Sequence, residues 1–179
     1  MDNKLKNILK ISVFSGFVII VLVLTSGFGS VSASSVSGSD KSLLLVNELR
    51  KSKKLAPLTW NDKLAKAAQD KAVDMDRVDY FDHQSPEGRN AWDFVASEGY
   101  SYKKAGENLA INFSSVDDAM IAWEKSPSHL ENMLSPTYTE FGYAKLKVNI
   151  EGYPTSVYVQ IFGTPESVYD RALNDLIGN

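Results

Sequence analysis

An α+β fold is predicted by three features of the sequence. Apolar residues recur at helical spacing as far as Leu134, the pattern switches to strict alternation after Phe141, and a turn segment at Glu151-Gly152-Tyr153-Pro154 divides two alternating runs.

Ser42 to Lys53 reads as a helix with Leu45 and Leu49 one turn apart. Asn61 can cap a longer helix whose Ala65, Ala68, Ala72 and Met75 recur at helical spacing, and such small residues predict close packing. A loop rich in Asp, His, Pro and Gly covers residues 79–89. Asn90 to Glu98 follows as a helix that stops at Gly99, and Ser115 caps another over Val116 to Lys125. Pro127 interrupts that helix and opens a short new one to about Leu134, because proline is tolerated in a first turn. From Phe141, Ala144, Leu146, Val148 and Ile150 share one strand face while Tyr143, Lys145 and Lys147 take the other. Val157, Val159 and Ile161 alternate with Tyr158 and Gln160 in a partner strand, giving an antiparallel hairpin. The tail from Pro165 to Ile177 reads as a last helix capped by Thr164, with Val168, Ala172, Leu173 and Leu176 as an apolar stripe that packs on the domain or, as the competing reading of an amphipathic tail, meets a membrane or partner.

Ahead of these elements, Lys4, Lys6 and Lys10 precede an apolar run from Ile11 to Leu24, then small and polar residues ending in Val31-Ser32-Ala33. That order matches a secretory signal peptide cleaved after Ala33. An uncleaved membrane anchor is the competing reading, since the uncharged stretch is long enough for a bilayer of about 30 Å. In both readings the lysines face the cytoplasm and the folded domain lies outside it, secreted or extracytoplasmic. The chain thus divides into 1–33 as leader or anchor, 34–41 as a serine- and glycine-rich linker, 42–163 as the domain and 164–179 as the C-terminal helix.

With 44% hydrophobic and 23% charged residues, the composition is that of a globular domain. The chain carries 19 basic and 22 acidic side chains, and losing Lys4, Lys6, Lys10 and Asp2 with the leader makes it more acidic still. A weakly acidic surface without a basic stripe excludes nucleic acid as the expected ligand. The absence of cysteine removes disulfides, thiolate metal sites and cysteine nucleophiles together.

The chain has two histidines, in Asp82-His83-Gln84-Ser85-Pro86 and Ser126-Pro127-Ser128-His129, and a third polar focus in Gly106-Glu107-Asn108. Imidazole and carboxylate are the groups that bind zinc or a similar divalent cation, and three protein ligands leave a position for water or substrate. On the residues alone the blander reading is favoured: loop histidines making hydrogen bonds, with Glu107 capping the segment after Gly106. Ser85, Ser126 and Ser128 lie near a histidine in sequence, but the chain lacks a G-x-S-x-G elbow to present a nucleophile.

Leu45-Val-Asn-Glu-Leu-Arg50, Leu58-Thr-Trp-Asn61, His83-Gln-Ser-Pro-Glu-Gly88, Gly106-Glu-Asn-Leu-Ala110, Trp123, Ser126-Pro-Ser-His129, Asn132-Met-Leu134 and Phe141-Gly142 occur in this order. Over residues 42 to 163 this series resembles the CAP superfamily of cysteine-rich secretory, antigen 5 and pathogenesis-related proteins, and most resembles its bacterial exported branch. The resemblance implies a three-layer α-β-α sandwich with a small antiparallel sheet. It also implies a cleft in which His83 matches the first family histidine, Glu107 the glutamate of the G-E-N motif and His129 the second histidine, the three being the candidate metal ligands for a zinc-like cation. The family's second glutamate falls on Ser126 here, and Glu124, one residue after Trp123, is the nearest substitute. Positions two apart on a helix point to different faces, so Glu124 is a poor replacement there.

The resemblance further implies an extracytoplasmic protein that acts by binding, with a lipid-like or cell-envelope component as partner and membrane contact only through the N-terminal segment. A metal-dependent hydrolase using the same cleft is the competing expectation, with Glu107 as base for a cation-bound water. A structural cell-surface protein is the third.

Overall fold

The computed structural model describes residues 37–177. The leader, with its signal-peptide and anchor readings, and the start of the linker lie outside the described residues. Helix α1 spans Gly38–Ser52 and starts within the expected linker, because the Ser37 side chain accepts the Asp40 amide and caps it. Two of its residues tie it to the rest of the domain. Asn47 exchanges hydrogen bonds with the Leu58 backbone in both directions (2.9 and 2.7 Å). Arg50, buried, donates to the carbonyls of Ala56, Met133 and Ser135 at 2.8 to 2.9 Å, which locks α1 against the far end of a later helix.

A short strand β1 (Thr59–Trp60) leads into α2 (Asp62–Val78), which Asn61 caps as expected by accepting from Lys63 and Leu64. Its buried face is Leu64, Ala67, Ala68, Lys71, Ala72, Asp74 and Met75, so a lysine and an aspartate share the stripe that periodicity assigns to the core. Helix α3 (Ala91–Ser97) is opened by a capping box from Asn90 and ends before Gly99, whose φ of +66° is the left-handed stop. Strand β2 (Tyr102–Ile111) follows, then α4 (Val116–Lys125), α5 (Pro127–Leu134), β3 (Glu140–Ile150), β4 (Tyr153–Pro165) and α6 (Val168–Ile177).

The four strands lie in the order β1-β3-β4-β2, with β3 and β2 both antiparallel to β4 and the two-residue β1 parallel to β3. Glu151 (φ +52°) and Gly152 (φ +79°) form the whole β3-β4 loop, a two-residue turn of the kind that matches strand twist. Tyr153 and Pro154, expected in the turn, are already paired with Ile150 and Asn149.

Helices cover both faces of the sheet. On one side α2 and α3 bury Leu64, Met75, Phe94 and Val95 against Ala144, Val148, Val157, Val159 and Ile161. On the other, α1, α4 and α5 bury Val46, Met120, Trp123 and Met133 against Phe141, Tyr143, Tyr158 and Phe162. Tyr143, expected on an outer face, is therefore buried, and only the far half of β3 keeps Lys145 and Lys147 in solvent. Gly142 marks the tightest contact: a Cβ there would lie 2.2 Å from backbone atoms of Leu64 and Ala65, so α2 could not seat on β3 with any larger residue.

The C-terminal helix departs from expectation. Thr164 and Pro165 belong to β4, and Ser167 caps α6 instead, accepting the Asp170 amide at 3.0 Å. The stripe expected to pack on the domain faces outward: Val168, Ala172, Leu173 and Leu176 are all exposed. A polar tether, the Lys103–Asp170 ion pair at 2.8 Å, takes the place of the expected apolar packing. No helix among the described residues is long and apolar enough to cross a membrane.

Candidate functional site

Strand β2 is an edge of the sheet, and its open edge is where the two helical layers meet. An unpaired edge carries free carbonyls that invite another strand. Here side chains from the α4-α5 layer close three alternate ones: Tyr138 Oη donates to Ala105 O (3.0 Å), Asn132 Nδ2 to Glu107 O (3.0 Å) and Trp123 Nε1 to Leu109 O (2.9 Å). Gly106 is the residue that allows this approach, because a Cβ there would sit 2.5 Å from Tyr138 Oη and 2.9 Å from Asn132 Oδ1. Buried Asn108 extends the lock, donating to His129 O at 3.1 Å and accepting from Asn132 at 2.9 Å.

From the opposite layer the 79–90 loop brings His83 to the same edge. The loop is held by its own short bonds: Ser85 and Arg89 pair through their backbones (2.7 Å), and Gly88, with φ of +85°, donates to Ser85 O. Lys71 fixes its start. Fully buried on α2, its ammonium donates to Asp82 O (2.8 Å), His83 O (3.0 Å) and Tyr80 Oη (3.0 Å), and Tyr80 in turn donates to Asp74 at 2.8 Å. Burial lowers the Lys71 pKa, against the raising pull of the Glu107 and Asp74 carboxylates.

The result is a direct pair: His83 Nδ1 donates to Glu107 Oε1 at 2.5 Å. Glu107 is 7% exposed and His83 is mostly in solvent, so the carboxylate is the buried wall and the imidazole the open lip. That hydrogen bond raises the His83 pKa, overcoming the opposing effect of burial. The other carboxylate oxygen, Glu107 Oε2, is buried with no hydrogen-bond partner, which is uncommon for a group that costs about 1–3 kcal/mol to leave unsatisfied. Glu107, His83, Asn132, Asn90 and Trp92 line a cavity of about 300 Å³ along this edge.

His129 is not among the residues that line that cavity. It lies in the first turn of α5, where its Nδ1 is 2.8 Å from Ser126 Oγ, and both burial and the charge of His83 lower its pKa. The structure thus joins His83 to Glu107, places His129 within their electrostatic reach, and gives Ser126 to His129. Glu124 is exposed near the end of α4 and is not among the residues that line the cavity. Among the described residues, no three His, Cys, Asp or Glu side chains are gathered so as to hold a metal ion. Glu107 gives Oε1 to His83 and His129 holds Nδ1 beside Ser126 Oγ, so a cation at His83, Glu107 and His129 would have to be held through the other ring nitrogens and Oε2.

Sequence reasoning missed Lys71, Asn132, Tyr138 and Trp92. Lys71 had a readable signal, because it falls between Ala68 and Met75 on the apolar stripe of α2. Asn132 lay within a quoted motif but carried no stated role, and Tyr138 and Trp92 gave no local signal.

Residues 43–162 match the family model described as CAP, cysteine-rich secretory protein family. The YkwD protein of Bacillus subtilis is 40% identical over 110 residues, which are 61% of this chain and 43% of that protein. Among solved structures, an extracellular protein of Bacillus anthracis containing an SCP domain superposes with a TM-score of 0.62 at 26% identity, covering 70% of this chain and 40% of the other. An outer surface protein of Borrelia burgdorferi gives a TM-score of 0.62 at 25% identity and covers 71% of this chain and 93% of its own. The chain spans less than half the length of YkwD and of the anthracis protein.

Proposed function

The chain belongs to the CAP family, and from that premise we propose that it works outside the cytoplasm as a binding protein, holding a lipid-like or other cell-envelope component by its polar end at the His83–Glu107 cleft. The solved relatives named as extracellular and outer surface proteins support the location, as does the leader pattern in the sequence.

One observation carries the reading: a buried carboxylate oxygen, Glu107 Oε2, stands without a donor in a residue that lines an open cavity. A ligand hydroxyl or amide would supply the missing bond and remove the cost of leaving it unmade. Catalysis is less well served. A nucleophile needs a base that a third group orients and an oxyanion hole opposite. Ser126 and His129 make a pair at 2.8 Å, but among the described residues no carboxylate makes a hydrogen bond with the His129 ring.

Native mass spectrometry of the full chain, purified from its own envelope fraction, tests the proposal. A co-purifying molecule that is lost in a Glu107→Ala variant is the expected result. Hydrolysis of a peptide or ester substrate by the purified chain, abolished in His129→Ala, would replace binding by catalysis.

A further inference from the structure

We propose that the cleft takes a neutral saccharide, one sugar ring lying against Trp92 and a ring hydroxyl donating to Glu107 Oε2. The inference rests on the binding reading above and narrows its ligand class.

Trp92, in the first turn of α3, is a cleft residue with 36% of its surface exposed, an uncommon position for the largest apolar side chain. Tyr102 of β2 packs against it at a tilt, with ring centroids 6.2 Å apart and 48° between the planes, so the indole is held on one side while it lines the cavity. An aromatic face is electron-rich and attracts weakly positive C–H groups, and a sugar ring presents such a face on one side and hydroxyls around its rim. The rim would meet Glu107, Asn90, Asn132 and His83.

Charge narrows the choice. Glu107 already accepts from His83, and the Lys71 ammonium is close enough to feel its charge. A cationic ligand would compete with both for one carboxylate. An anionic ligand would meet a buried negative charge. A hydroxyl donates to Oε2 and needs no counter-charge. An acyl chain is poorly matched, because Ala91, Trp92 and Ala105 are all the apolar lining there is, far less than a chain needs to leave water. The volume of about 300 Å³ lies at the small end of ligand sites, which suits a ring or two of a longer glycan.

Calorimetric titration of the full chain in a glycoside-free detergent tests this, using tetra-N-acetylchitotetraose, cellotetraose and phosphatidylglycerol vesicles as separate probes. Saturable binding of at least one oligosaccharide is expected, weakened about tenfold or more by Trp92→Ala and by Glu107→Gln and largely kept by Trp92→Phe. Trp92 is exposed enough for its loss to leave folding intact, which circular dichroism checks. Absence of binding to both oligosaccharides, or an affinity that Trp92→Ala leaves unchanged, overturns the saccharide inference. Vesicle binding that depends on Glu107 without oligosaccharide binding would overturn it while keeping the binding reading. Silence from all three probes, with no co-purifying ligand, would remove both.

Discussion

The two histidine segments are alike in sequence and opposite in setting. Each places a histidine within three residues of a proline and a serine. His83 hangs on a loop whose carbonyls are anchored by a buried ammonium, and it gives its Nδ1 to a buried carboxylate. His129 sits in a helical turn, shares a bond with the neutral hydroxyl of Ser126, and has its own carbonyl held by the neutral amide of Asn108. The first imidazole is biased toward its charged form and the second toward its neutral form. What differs is the type of support, ionic on the α2 side and neutral on the α5 side.

The largest expected effect breaks the ionic side. Lys71→Met keeps the length of the side chain but strips the Asp82 and His83 carbonyls and the Tyr80 hydroxyl of a shared donor. A loss of about 2–4 kcal/mol in urea unfolding is expected. Ser126→Ala, the matching change on the neutral side, should cost no more than about 0.5 kcal/mol. Equal costs would mean that the two supports do not differ in kind.

Glu107→Gln comes next and removes the charge while keeping the shape. The His83 pKa should fall toward its ordinary value, as followed by NMR of the ring protons. Because the folded-state pKa is raised, the pair contributes its full stability below the unfolded value of about 6.5 and loses it as pH climbs through the folded value. Thermal unfolding of the parent should therefore weaken from about pH 6.5 upward by less than about 1 kcal/mol, solvent around His83 limiting the size, and the variant should lack that fall. A variant with the parent's profile would place the pH dependence elsewhere.

Much of this asymmetry was legible before the fold was known, and the exceptions have physical causes. Helical spacing and caps placed α2, α4 and α5 correctly, since Asn61, Ser115 and Pro127 are strong local signals. Strand β2 escaped because Lys103-Lys104-Ala-Gly-Glu-Asn108 carries polar and small residues where a strand usually alternates. Its pairing comes from β4, and its exposed edge is satisfied by Tyr138, Asn132 and Trp123. Motif resemblance brought His83, Glu107 and His129 together, and the structure joins the first two directly. It could not show which oxygen of Glu107 stays unpartnered, nor that a buried lysine holds the loop, because both depend on contacts between elements far apart in the chain.

The smallest expected effect asks whether the two sides form one cleft at all. Burial is the main reason that the His129 pKa is lowered, and the charge of His83 is the second. A base with a depressed folded-state pKa is more readily protonated when unfolded, so its contribution is lost as pH falls from about 6.5 toward the folded value, opposite in sign to that of the His83–Glu107 pair. His83→Gln should therefore raise the His129 pKa part of the way back, with the burial component left in place, as read from the His129 ring protons across a pH titration. If the His129 titration is unmoved, the imidazoles do not sense each other across the edge of β2. The ionic and neutral sides would then be two separate loop anchors, and a ligand held by Glu107 would have no reason to feel His129.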